Sequence, residues 1–339
     1  ISEFATMTAG LVSNVAVASL SEIRRTTHRL LSRFPPDLDA PFLAHRALLN
    51  PPSTANDQLV PLIMSELEAI LEDLGSRDLL SDDAIAEWLM NRPDPTQLLQ
   101  TQELDTAEKA RQAVKDICLK GVGDHANFAI PSKPSWTKKM ADNKGADDLK
   151  KLTDCVGGIE VVNANEQFEE RMSLRSHYAD KPPMLALGTL LSLTTPAVEP
   201  APPEKTFWVC IQPACDCYIR DKDTTKRYFP FLRLKLAKEN GAFNLLVRSS
   251  GNWLRLQWAA RPLHLQMFQF EANSPERAVL AVKREGQYWL DALDGTSKFA
   301  WIGQLKFPQA QRMAQALGSE AGRVGLTESE WLRRSARLS

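Results

Sequence analysis

The densest set of soft ligands and nucleophiles lies in Gln212-Pro213-Ala214-Cys215-Asp216-Cys217, with Cys210 just before it. Residues two apart on an extended strand point the same way, so Cys215 and Cys217 together would suit a soft metal such as zinc. A closed zinc site takes four ligands in paired spacing, and the chain has no CxxC and no HxxxH. The other candidates, Cys118, Cys155 and His177, come from separate segments, and the competing reading is of small apolar cysteines at a strand end. A cysteine nucleophile with His264 as base is a second possibility, against the reading of His264 as a wet-face or satisfied histidine. Asp216, Asp221 and Asp223 would offer oxygens to a divalent ion, or form a solvated acidic loop. No GxxxxGK[ST] and no GxGxxG is present, which excludes the usual phosphate cradles. No catalytic residue, metal site or cofactor is therefore assigned, and the reading favours a protein that is not an enzyme.

A second set is cationic and aromatic. Arg227, Arg233, Lys235, Arg248, Trp253 and Arg255 form the candidate binding set, with Lys226, Tyr228, Trp258 and Arg261 nearby in sequence. Cations beside aromatic rings can track a phosphate backbone and stack bases. The same residues can dock an acidic protein surface. Docking is the favoured reading, because no basic run is dense enough to hold nucleic acid alone.

These residues need a sheet to bring them together, and the chain has the pattern for one after residue 200. Phe207–Ile211 is an apolar run of strand length, and Leu254, Leu256 and Trp258 alternate with Trp253, Arg255 and Gln257. Leu263, Leu265 and Met267 alternate with His264, Gln266 and Phe268 in the same way, which assigns the Leu and Met side chains to the core. Further strands are expected at Phe231–Leu236, Phe243–Val247, Ala278–Val282, Tyr288–Leu290 and Phe299–Ile302. So many short strands argue a small curved barrel or sandwich. Helices are expected at about 308–318 and after Thr327, where Glu330 completes a capping box.

The first 180 residues read as helices. Ile63, Leu67, Ile70, Leu71 and Leu74 repeat at the helical period. Ser81 before Asp82 and Asp83 is an N-cap, and Asp105 with Glu108 resembles a capping box before Ala110, Val114 and Ile117. Gly157-Gly158 before Ile159–Val162 suggests a short strand between two helices.

The chain has 339 residues and a net charge of −1, but 21 Lys+Arg stand against 13 Asp+Glu after residue 200. The first 200 residues carry the opposite balance, 20 against 29. Two units of opposite sign follow, or a basic unit with an acidic partner. Five cysteines do not suggest a disulfide framework, so a reducing cytoplasm is expected. Residues 1–6 read as a vector remnant, 7–180 as a mainly helical domain and 181–339 as a β-barrel domain with closing helices. Neither Leu11–Leu20 nor Pro182–Val198 reads as a signal peptide or membrane span.

The block from Phe207 to Asp216, followed by Phe229-Pro230-Phe231-Leu232, resembles bacterial proteins that begin with a degenerate response-receiver domain. Those proteins are associated with antiphage defence and are often encoded beside a GHKL-type ATPase. Trp301–Lys306, Arg323–Leu326 and Glu330–Arg334 are similar to the same family's C-terminal end, so the resemblance spans roughly 184–335. The Cys-Asp block is also similar to small SH3-like barrels of the toxin type. The family's receiver domain is not visible here, and no catalytic residue carries over. The resemblance implies an SH3-like barrel in an α+β chain, a signalling or adaptor role through a protein partner such as a GHKL-type ATPase, and antiviral defence. The alternatives are a nucleic-acid-binding module and, on fold analogy alone, a toxin-like RNA nuclease.

Overall fold

Alternation and breakers in the sequence become elements in a computed structural model. It describes residues 10–49, 52–73, 80–90, 107–120, 153, 156, 163–178, 181–195, 204–213, 216–219, 224–238, 243–249, 251–259 and 261–321. The chain is α+β, with helices followed by an antiparallel curled sheet, a half-barrel, and a helix after it. It divides into two compact units, Ile1–Asn165 and Glu166–Ser339.

The first unit holds α1 (Leu11–Ser32), α2 (Asp39–Leu48), α3 (Asn56–Asp73), α4 (Asp82–Met90) and α5 (Ala107–Lys120). Helix α1 packs on α3, and α4 on α5. The Ser81 cap forms as expected: its Oγ accepts from Ala84 N at 3.3 Å, and its carbonyl accepts from Ile85 N at 3.0 Å. On α5, Ala110, Val114 and Ile117 are buried at helical spacing. On α3, Leu67, Ile70 and Leu71 are half-buried while Ile63 is exposed. Asp105 and Ile159–Val162 lie outside the described residues. No described helix is long and apolar enough to cross a membrane.

The second unit begins within α6 (Ala164–Ser173) and continues, among the described residues, with nine strands: β1 (Thr189–Thr195), β2 (Glu204–Cys210), β3 (Lys226–Leu236), β4 (Leu245–Ser249), β5 (Asn252–Gln257), β6 (Leu265–Glu271), β7 (Val282–Arg284), β8 (Gln287–Asp291) and β9 (Lys298–Gln304). Helix α7 (Phe307–Ala321) follows, covering the expected 308–318, and the helix expected after Thr327 falls outside the described residues. All pairings are antiparallel, in the order β4-β5-β3-β2-β1-β9-β8-β7, with β6 pairing β3.

The long β3 forks. Its residues 226–232 pair with β6, and its last two pair with β5, so the β4–β5 hairpin and β6 share one edge. Pro230 sits in mid-strand just beyond the β2 pairing that begins at Phe231, and its carbonyl accepts from Ile211 N at 3.0 Å on that side.

The sheet separates two cores. One is aromatic: Phe231 packs with Phe268, Phe270 and Phe299 at centroid distances of 5.5, 5.9 and 6.1 Å, joined by Trp208, Leu191 and Leu290. The other is aliphatic: Leu190, Val209, Leu232, Leu234, Leu245, Val247 and Leu256, covered by Ala310 and Met313 of α7. Strands β1 and β2 are therefore buried on both faces, with Leu190 and Leu191 both fully covered. Such strands lose the period-two signal. This is why β1 escapes the sequence reading, hidden in the uncharged run before the prolines.

One expectation is overturned. In β6 the core face is Phe268 and Phe270, while Leu263, Leu265 and Met267 are 77%, 39% and 48% exposed. The register sets Phe268 opposite Phe229 and Met267 opposite Pro230. The aromatic cluster takes the phenylalanines, and alternation then turns the Leu and Met side chains outward.

Candidate interaction face

Pairing register brings most of the candidate binding set to one side of the sheet. Along β3, Arg233 and Lys235 continue the row of Phe229 and Phe231 past the end of the aromatic core. Arg233 stands opposite Trp208, and Lys235 stands opposite Gln257 of β5. Arg255 and Trp253 share the Gln257 side of β5, and Trp253 pairs with Arg248 of β4. Registered partners point to the same face, so Arg233, Lys235, Arg248, Trp253 and Arg255 form one surface across three strands.

Three of these cations lie against rings. The Arg233 guanidinium carbon is 5.9 Å from the Trp208 ring centroid, Arg248 is 5.7 Å from Trp253, and Arg255 is 5.4 Å from Phe243. Trp208 is nearly buried, edge-on to Phe268 at 5.3 Å, and its Nε1 donates to Thr206 Oγ1 at 3.0 Å. The ring is anchored in the core and supports the arginine above it. At Arg248 the guanidinium held against the Trp253 ring keeps its N–H edge for a carboxylate or phosphate. No carboxylate of the described residues pairs with Lys235 or Arg248.

Arg227 does not join this surface. It lies on the same side of β3 but at the other end, six residues and roughly 20 Å from Arg233. Its Nη1 donates to the Tyr218 carbonyl at 3.3 Å, tying the strand to the preceding loop. Of the nearby residues, Tyr228 is exposed on the opposite face and Trp258 packs against the aliphatic core.

Two cysteines of this block, Cys210 and Cys217, are structural. Cys210 and Cys217 are fully buried in the aromatic core. The Cys217 thiol donates to the Pro213 carbonyl at 3.3 Å, and Asp216 N closes a turn onto the same carbonyl at 2.9 Å. Burial, with Cys217 nearby, pushes the Cys210 thiol well up, against a smaller opposing backbone hydrogen bond at Gln212. Burial therefore disfavours the thiolate at Cys210. Cys215, Cys155, Asp221 and Asp223 lie outside the described residues, and with them any pairing of Cys215 with His264 and two members of the acidic triplet. Among the described residues, no three His, Cys, Asp or Glu side chains gather as a metal would require.

One aromatic group went unread in the sequence. His177 places its ring 5.9 Å from Tyr288 and 5.4 Å from Trp301, and Lys283 Nζ lies 5.7 Å from the Tyr288 centroid. These residues come from the segment after α6, from β7, and from the β8–β9 pair. No spacing in the sequence joins them. Lys283 occupies the Tyr288 face, so the group closes the end of the aromatic core.

No protein-family profile, curated protein or solved structure matches this chain.

Proposed function

We propose that the chain is a non-enzymatic adaptor whose half-barrel, of SH3-like type, docks an acidic protein partner through Arg233, Lys235, Arg248 and Arg255. The observation that carries the reading is the convergence of these four cations, from three strands, on one face with three of them set against rings. The arginines already cover ring faces of Trp208 and Trp253 that stacked bases would need, which favours carboxylates over single-stranded nucleic acid. The resemblance of the Phe207–Asp216 block adds a setting: bacterial antiphage signalling, with a GHKL-type ATPase as the partner class.

The test is fluorescence anisotropy with a labelled Glu-rich peptide, a labelled single strand and a labelled duplex, each across a salt series. The expected result is peptide binding weakened about tenfold or more by the double variant Arg233→Glu, Arg255→Glu, about 1.4 kcal/mol or more. Duplex binding with a log–log salt slope near that of four released counterions, with no peptide binding, would transfer the face to nucleic acid.

A further inference from the structure

We propose that the basic face recognises an extended acidic segment with a carboxylate at every second residue, laid along the row Arg233, Lys235, Arg255, Arg248. The inference rests on the docking reading above and adds to it the conformation and charge spacing of the partner.

Register orders the four cations. Along β3, Arg233 and Lys235 are two residues apart and share a face. The Ala237 N–H donates to the Arg255 carbonyl at 2.8 Å, which carries the Lys235–Gln257 register one same-face step further. Arg255 therefore stands beside position 237. Trp253 is the next same-face residue along β5, and it pairs with Arg248 of β4. The row advances two residues at every cation while stepping sideways from β3 to β5 to β4. Two residues of strand cover roughly 6.8 Å and one sideways step roughly 4.8 Å, so successive cations lie roughly 7, 8 and 8 Å apart in a row roughly 22 Å long.

All four cations are exposed. The paired segments 231–236, 245–249 and 252–257 contain no Asp or Glu, so the row has one sign. Trp208, Phe243 and Trp253 lie against its three arginines and limit how far each charge swings. A guanidinium carries five N–H donors, so a neighbour on one edge leaves donors for a carboxylate on another.

The occupant follows from this spacing. An extended strand turns side chains to one face every two residues, roughly 6.8 Å, and four alternate carboxylates span roughly 20 Å. Long glutamate and arginine side chains cover the small difference from the row. A helix brings a side chain back at every fourth residue, so four of them span roughly 18 Å and rotate about 40° at each step. The last would then point well away from the sheet. Only the extended form meets all four cations at once.

Fluorescence anisotropy at low salt tests this with four labelled probes. One peptide alternates four glutamates with four threonines; a second has the same composition with the glutamates in one block. The third is an alanine-based helix with four glutamates at every fourth residue, and the fourth probe is an eight-nucleotide oligothymidine. A block of glutamates turns only two of its four side chains to the sheet. With about threefold lost per exposed ion pair, the alternating peptide should bind about tenfold tighter than the block. Deleting its glutamate at one end should abolish the effect of Arg248→Gln, and deleting the glutamate at the other end that of Arg233→Gln. Block or helical peptide binding as tightly as the alternating one overturns the spacing and leaves acidic docking standing. An alternating preference indifferent to both end cations also overturns it. Failure of every peptide removes the docking reading itself, and oligothymidine binding tighter than the alternating peptide, with the same dependence on Arg233 and Arg248, gives the row to nucleic acid.

Discussion

Gly188 is where the half-barrel and its covering helix meet, and Gly188→Ala measures how tightly. Its N–H donates to the Cys210 carbonyl at 2.7 Å and its carbonyl accepts from Leu305 N at 2.9 Å, so the residue is pinned from both sides. Its φ is +85°, a region that costs an L side chain about 1–2 kcal/mol. An added Cβ would lie 2.8 Å from the Ala310 Cβ and 3.1 Å from the Leu305 Cβ. Both are tied to backbone and cannot swing aside, so α7 must shift, at about 1–3 kcal/mol for overpacking. The total is about 2–5 kcal/mol, against domain stabilities of about 5–15 kcal/mol. Gly251→Ala is the control. Its φ is +82°, but nothing lies within 4 Å of the added carbon, so only the backbone cost applies. Urea unfolding followed by tryptophan fluorescence reads the second unit, because six of the eight tryptophans follow residue 200. Gly188→Ala should lower the midpoint clearly more than Gly251→Ala with little change in slope. Equal losses would refute the packing argument and leave Gly188 as an ordinary turn glycine.

Thiol labelling under native conditions should modify exposed Cys118 well before Cys210 and Cys217, which react only on unfolding. Raising the pH to the ordinary thiol range should not change that order, since burial holds the Cys210 thiol well above it. Comparable native labelling at Cys210 and Cys118 would mean the aromatic core is open. In acid, two carboxylates at the β7–β9 end report on the fold. The Asp291 carboxylate is lowered by its hydrogen bond to Arg284, against partial burial. Asp294 is lowered despite partial burial, because the Ser297 and Thr296 N–H groups donate to it at 2.7 and 2.9 Å. A lowered folded value gives stability that is present above the ordinary 3.8 and is lost as pH falls through the folded value. The melting temperature should therefore drop below about pH 4. Asp294→Asn keeps the acceptor oxygen and should flatten that drop while changing neutral stability little; an unchanged acid profile would rule Asp294 out as a contributor.

Local signals carry the parts of this protein that local interactions decide. The Ser81 cap and the Ala110–Val114–Ile117 stripe are legible because a helix folds its face from residues three and four apart. The wet-faced β5 is legible because Arg255 and Gln257 alternate with Leu254 and Leu256. Strand β1 was not legible, since burial on both faces erases alternation. In β6 the sequence offers two apolar rows, Leu263-Leu265-Met267 and Phe268-Phe270, and only the neighbours choose between them. Phe229, Phe231 and Phe299 chose the phenylalanines, leaving the aliphatic row at the surface. The basic face divides in the same manner. Its residue types are plain in the sequence, but their convergence rests on the fork in β3, which pairs Lys235 with Gln257 and so carries Arg248 and Arg255 beside Arg233. Arg227 has the same chemistry and the same parity, and the length of one strand removes it. Amino-acid type sets which groups can bind an anion; strand register, a non-local pairing between distant segments, decides which of them stand together.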